Sequence, residues 1–330
     1  MLAAAALLLV GAALAQVSLG QETRYLRIGT AATGGTYYPI GGLIAGAISN
    51  PPGSRPCDKG GSCGVPGLIA VAQSTQGSVQ NVEMIARGQL EAALSQSDIA
   101  FWAHSGTGVF QTRGRITELR SVANLYPEHI HLVVRWDSQI TRVSELRGKR
   151  VSLGELSSGT LVDAKIILRA YGLDERDLDA VYGSPDQASD QLRAGTIDAF
   201  FLIAGSPVAA IAELARQRDI RLIPIDGPES DKVLEQFKFF SRATIKAETY
   251  SGVEETPTLA VSAQFLVSAK LSDDLVYGIT RALWHVSTRT LFDGGHPKGA
   301  SIRLETALDG LAIPLHPGAE RWYKEAGRIK

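Results

Sequence analysis

The chain is poor in the residues on which metal, redox and nucleic-acid chemistry are built. In 330 residues it has two cysteines, six histidines and four tryptophans, and its formal net charge is −1. A near-neutral balance lacks the basic surface that nucleic acid requires, so no nucleic-acid partner is expected. His129 and His131 alternate onto one strand face, but two ligands are too few for a metal site, and neither metal nor cofactor is expected. The zinc pattern H-E-x-x-H is absent, as are the dinucleotide pattern G-x-G-x-x-G and the phosphate pattern G-x-x-x-x-G-K-[ST]. No catalytic constellation is legible, and the expectation is a protein that is not an enzyme.

Long hydrophobic runs are also scarce. The first twenty residues, M-L-A-A-A-A-L-L-L-V-G-A-A-L-A-Q-V-S-L-G, carry no charge, and their apolar run is too short to span a bilayer. Ala13 and Ala15 form an A-x-A-like cleavage site, so residues 1–20 read as a secretory signal, though one without a basic start. The mature chain is then a soluble protein of the periplasm. In that setting Cys57 and Cys63 are most simply a disulfide closing the loop P-C-D-K-G-G-S-C-G. The chain-entropy relation gives it roughly 2.4 kcal/mol for a loop of about 7 residues. A redox pair would more often be spaced C-x-x-C.

Residues 25–48, Y-L-R-I-G-T-A-A-T-G-G-T-Y-Y-P-I-G-G-L-I-A-G-A-I, organise what is present. Tyr25 to Thr30 alternates as a short strand, and glycines and threonines then break it into a loop. Thr36 can cap a helix, Pro39 is tolerated in a first turn, and Ile40, Leu43, Ile44, Ala47 and Ile48 fall on one face. Gly41, Gly42 and Gly46 weaken that helix, which implies close packing of its backbone. Strand, polar turn and helix together form a cradle, because free N–H groups at a helix start point past the strand end.

The same unit recurs. Strands at 67–73, 92–96, 150–153, 180–182 and 200–203 each run into a polar turn and a helix. Arg87-Gly88-Gln89-Leu90-Glu91-Ala92-Ala93 and Ala194-Gly195-Thr196-Ile197-Asp198-Ala199-Phe200 share one order of residue types, which suggests two similar α/β lobes. Strands at 119–125 and 130–134 are separated by Tyr126-Pro127-Glu128, a strand at 220–225 leads back, and amphipathic helices are expected around 233–237 and 272–291. About 310 mature residues divide into lobe one, residues 21–127 and 226–330, and lobe two, residues 128–225. Two crossings make a hinge with a ligand cleft between the lobes.

Neutral hydrogen-bonding residues gather at the helix starts. Lobe one offers Thr33, Thr36, Tyr38, Ser74, Ser78, Gln96 and Asp98; lobe two offers Ser157, Ser158, Thr160, Ser184 and Gln187, with Gly159 allowing close approach. Each could be only a cap. Together at one sheet edge they suit a small polar or anionic solute that is bound without being transformed.

The stretches T-G-G-T-Y-Y-P-I-G at 33–41, C-D-K-G-G-S-C-G-V-P-G-L at 57–68, S-T-Q-G-S-V-Q-N at 74–81, Q-S-D at 96–98, S-S-G-T at 157–160 and I-P-L-H-P-G-A at 313–319 resemble the TAXI family. These are extracytoplasmic solute receptors of tripartite ATP-independent periplasmic (TRAP) transporters. The resemblance implies a two-lobe type II periplasmic binding fold that takes up a carboxylate-bearing solute, such as glutamate, glutamine or an organic acid. It also implies a monomer that delivers the solute to TRAP membrane subunits. Carried over by motif, Thr36, Tyr38, Ser74, Asn81, Gln96, Ser158 and Thr160 are the implied contacts. Gln76, where many relatives have Gly, and Glu155, near S-G-T, depart from the pattern. The rivals are a binding protein feeding a sensor kinase and a periplasmic enzyme on the same fold.

Overall fold

The structure is a computed structural model that describes residues 23–330; the signal expected at 1–20 lies outside the described residues. Arg24–Gly29 (β1) buries Leu26 and Ile28 and hands the chain through the polar turn to Tyr37–Ile48 (α1), which buries Ile40, Ile44, Ala47 and Ile48. Of the three α1 glycines only Gly41 answers to close packing: a Cβ there would sit 2.4 Å from Thr30 Cγ2, while Gly42 faces open space and Gly46 has ordinary room. Ser49–Asn50 (β2) and Val65–Pro66 (β3) pair at the base of the loop that the Cys57–Cys63 disulfide closes. Leu68–Gln73 (β4), Ser78–Ala86 (α2), Ala92–Gln96 (β5) and Ser97–Ser105 (α3) complete this α/β unit, with β1 parallel to both β4 and β5.

Leu119–Arg135 (β6) is one strand of 17 residues, not the two expected. Pro127 does not break it because β6 is an edge there: it pairs with one neighbour through this stretch, and the second joins only from His129. An edge tolerates a residue without an N–H. Lobe two follows, with Arg150–Ser152 (β7), Gly159–Ala170 (α4), Asp179–Val181 (β8), Pro185–Ala194 (α5), Ala199–Ala204 (β9), Ala209–Gln217 (α6) and Ile220–Leu222 (β10). The matched heptapeptides end their helices alike: Gly88 and Gly195 have φ of 70° and 73°, the left-handed turn that glycine adopts freely.

The chain does not return to lobe one near Asp226. Gly227–Gln236 (α7) and Ser241–Ile245 (β11) stay with lobe two, where Val233 and Phe240 share a core with Val151, Leu168 and Phe201. The return is made by Thr256–Ser268 (β12), whose first half pairs with β11 and whose second half pairs with β5. Both crossings are therefore long strands, β6 and β12, antiparallel to each other along the hinge. They join the lobes into one sheet of order β4-β1-β5-β12-β6-β9-β7-β8, with β10 and β11 branching from it. Asp273–Leu283 (α8), Val286–Gly295 (α9) and Pro317–Glu325 (α10) then cover lobe one. The single helix expected over 272–291 is two, because the His285 imidazole accepts the Ser287 N–H and starts a new helix.

Candidate functional site

A cleft partly open to solvent lies between the lobes where the starts of α1, α2, α4 and α5 converge. Lobe one contributes Thr36, Tyr37, Ser78 and Gln96, and lobe two contributes Ser158, Gly159, Thr160 and Ser184. Phe201 to Ala204 form an apolar wall from β9. Among the described residues no arginine or lysine lines it. The positive field for an anion therefore comes from helix N-termini, whose first N–H groups have no acceptor within the helix.

Glu128 supplies the opposite character. It lies on β6 between the lobes, lines the cavity, and accepts the Tyr37 hydroxyl at 2.6 Å. Burial pushes its carboxyl up to about 8, against the Tyr37 hydrogen bond, which lowers it. Glu155 also lines the cavity, and burial raises it from the ordinary carboxylate range. Gln96 Nε2 donates to Asp163 Oδ2 at 2.9 Å, while its Oε1 is buried without a partner. The cavity thus pairs N–H-rich helix starts with carboxyl and amide oxygens.

The lobes are closed on each other. The Thr36 hydroxyl donates to the Gly205 carbonyl at 2.8 Å, Gly34 N–H donates to Asp186 Oδ2 at 3.1 Å, and Ala210 N–H donates to Gly34 O at 3.2 Å. Gln80 N–H reaches Ser157 O at 3.1 Å, and Ser157 N–H reaches Gln76 Oε1 at 3.2 Å. Gly159 lies so close to Gln96 that a Cβ would fall 1.3 Å from Oε1.

Of the candidates named from sequence, Thr36, Ser78, Gln96, Ser158, Gly159, Thr160 and Ser184 line the cavity. Thr33 and Tyr38 are exposed and face away from it, because residues 33 and 38 fall on the outer side of the turn and of the first turn of α1. Ser74 is exposed and donates to Ala31 O, tying two loops together. Asn81 is buried behind the site, where its amide donates to Thr30 O and Leu94 O and accepts from Thr75. Asp98 is buried in the seam beside the cavity without lining it. Ser157 serves the interlobe contact through its backbone.

The hydroxyls of lobe two are largely occupied. Ser158 Oγ accepts Leu161 N–H and donates to Glu155 O, so it caps α4. Ser184 and Gln187 form a reciprocal capping box on α5. Thr160 Oγ1 accepts Ile203 N–H at 3.2 Å and keeps its own proton for another acceptor. His129 and His131 both contact Ser206 Oγ, at 2.8 and 3.0 Å, so they are satisfied within lobe two. Burial lowers them to about 4 and about 3. A G-x-S-x-G spacing does occur at 60–64 in the cysteine loop, but there the Ser62 hydroxyl is spent on the Ser49 carbonyl.

Sequence reading missed Glu128, Asp163 and Asp186. The available signal for the first two was an acid placed in an apolar pattern: Glu128 follows Pro127 inside a buried strand, and Asp163 sits among Leu161, Ala164 and Ile167 in α4. Asp186, exposed at the start of α5, carried no such signal.

Fold and site together define a two-lobed α/β protein with a cleft between its lobes. The chain belongs to the NMT1-like family, matched over residues 28–327. Among solved structures it is similar to a protein of Bordetella bronchiseptica RB50, at 14% identity over 93% of this chain and 83% of that one, with a TM-score of 0.53. It is also similar to the alkanesulfonate-binding protein SsuA of Xanthomonas axonopodis pv. citri bound to MOPS, at 17% identity, 92% and 84% coverage and a TM-score of 0.46. An ancestral arginine-binding protein bound to arginine matches at 13% identity, 84% and 98% coverage and a TM-score of 0.49. At such identities the likeness speaks to the fold alone. Among the described residues no helix is long and apolar enough to cross a membrane.

Proposed function

We propose that the protein is an extracytoplasmic solute-binding receptor that closes its lobes on a small carboxylate-bearing solute, an amino acid in preference to a simple organic acid. The observation that carries this reading is the convergence of four helix starts from both lobes on one interlobe cavity that has carboxyl and amide oxygens within it. The helix starts hold an anion through backbone N–H groups. Glu128, Glu155 and Gln96 Oε1 accept from an ammonium group, which a dicarboxylate would lack. The preference for glutamate or glutamine, and delivery to TRAP membrane subunits in the periplasm, follow from the TAXI-like motifs.

The test is native mass spectrometry of the purified protein, with the released small molecule identified after denaturation, followed by thermal melting with amino acids, dicarboxylates and keto acids. A solute at 100 times its dissociation constant should stabilise the protein by about 2.7 kcal/mol, a rise of a few degrees at this size. A flat response across all three classes would refute the receptor reading. Thr160→Val, which keeps the shape but removes the spare donor together with the acceptor of the Ile203 N–H, should then weaken binding of the responding amino acid about tenfold or more beyond any loss of apo stability measured in parallel.

A further inference from the structure

Beside the cavity, the closed lobes bring together two acids that the binding site does not use. Asp98, in the first turn of α3 in lobe one, and Asp163, in the second turn of α4 in lobe two, are both 0% exposed and within hydrogen-bonding reach of each other. Gln96 Nε2 donates to Asp163 Oδ2 and Asp163 Oδ1 finds no donor among the described residues, while Asp98 has only the backbone N–H groups of Asp98 and Ile99 at the start of α3 near its carboxylate. The surroundings seal the pair from water. Phe101 of α3 lies 5.0 Å from Phe239 between ring centroids, and Val162, Ile166 and Phe237 pack onto the lobe-one cluster that holds Ile99 and Trp102.

Two touching carboxylates removed from water cannot both be ionised, since one side-chain amide and two backbone N–H groups do not offset their repulsion and lost hydration. A proton held between them removes both costs by turning one acid into a donor. We propose that Asp98 and Asp163 form a proton site in the interlobe seam, filled when the lobes close and emptied when they open, so that closure takes up a proton. The inference rests on the receptor reading only in linking closure to solute capture.

The groups facing the pair from each element support this assignment. From β6, Glu128 adds further negative charge, and Tyr37 of α1 donates to Glu128, not to the pair. Gln96 of β5 is neutral. Lys298, the buried cation of this region, lies with Glu128 and over the Tyr126 ring. His129 and His131, further along β6, are held neutral by burial. Burial likewise raises Asp98 to about 6, and burial with the neighbouring Asp98 charge raises Asp163 well above the ordinary carboxylate range. The sign follows: the closed pair binds its proton more tightly than hydrated carboxyls, whose pKa is about 3.9. Acid therefore favours closure. As pH rises above that range, closure weakens by up to about tenfold per pH unit for one proton, until the closed pair itself ionises.

The test reads lobe separation without any solute, so it does not depend on the solute being known. Spin labels at Gln89→Cys in lobe one and Arg176→Cys in lobe two, both exposed, report the interlobe distance by double electron–electron resonance at pH 5 and pH 8. The expected result is a closed population that falls at least tenfold relative to the open one between those values. In Asp98→Asn and, separately, Asp163→Asn, the amide replaces the shared proton as donor, so closure at pH 8 should exceed that of the wild type, with the profile flattened to the part that Glu128, also raised by burial, contributes. The proposal is overturned by a wild-type distance distribution indifferent to pH, or by Asn variants that follow the wild type. Closure that tracks sodium or potassium concentration at fixed pH would likewise overturn it, since a metal cation would then fill the site. If the melting screen is flat and the distance profile holds, the receptor reading fails and the proton site stands.

Discussion

The two lobes face the cavity with helix starts of different construction. In lobe two, α4 and α5 are capped by their own Ser158 and Ser184, so their geometry is complete within the lobe. In lobe one, α1 and α2 have no side-chain cap. Thr36 spends its hydroxyl on the Gly205 carbonyl of the other lobe, and Ser78 accepts the Gln96 N–H. The caps of lobe two are thus complete within that lobe, whereas the Thr36 hydroxyl of lobe one finds its partner across the cleft. A preformed half loses little order on binding, and a half finished by closure ties recognition to the conformational change.

The largest effect should come from the contact where the halves meet. Gly159→Ala leaves α4 able to form but drives Gln96 off its position and breaks the Gln96–Asp163 hydrogen bond. Leaving the buried Gln96 amide and Asp163 carboxyl without each other costs about 1–3 kcal/mol, so solute affinity in calorimetric titration should fall about five- to a hundredfold. The double variant Gly159→Ala with Gln96→Ala removes the clash and should recover part of the loss. Wild-type affinity in the single variant would show that closure is not needed at this contact.

Away from the cleft, lobe one carries the Cys57–Cys63 staple. Reduction of Cys57–Cys63 should lower stability by roughly 2.4 kcal/mol on the loop-entropy relation and leave affinity unchanged. Denaturant melts with and without reductant measure the first, titration the second. A matching loss of affinity would extend the closure-dependent region to the far side of the lobe.

The smallest effects separate the halves most directly. Ser184→Ala should cost about 1 kcal/mol of stability with affinity nearly unchanged. Thr36→Val should do the reverse, sparing the stability of the open form and weakening binding by about 1 kcal/mol or more, because the Gly205 carbonyl is left buried without its donor. Equal loss of stability in both variants would break the contrast between the lobes.

Much of the fold was legible because it is local. Polar turns after short apolar strands announced the β-turn-α units, and the Gly88 and Gly195 heptapeptides announced their repetition. The hinge was less legible. Tyr126-Pro127-Glu128 carries turn chemistry, yet it lies within β6, because a strand edge accepts proline that a central strand would reject. Residues 226–255 could equally have covered either lobe. Their apolar spacing announces a buried face without saying against which partner, and Val233 and Phe240 found theirs in lobe two.

The sequence by itself determined that hydroxyl and amide residues would stand at helix starts on one sheet edge, and that two cysteines in a short polar loop would pair. Which of them meet the interlobe cavity was decided only by the tertiary structure. Thr36 and Tyr38 are two residues apart, yet one bonds across the lobes and the other is exposed, because successive helical residues point about 100° apart and only docking selects the inward direction. Asp98 and Asp163 are further from sequence reach. Each alone reads as a polar residue on an amphipathic helix, and their chemistry exists only where closure puts two carboxyls from different lobes into one dry contact.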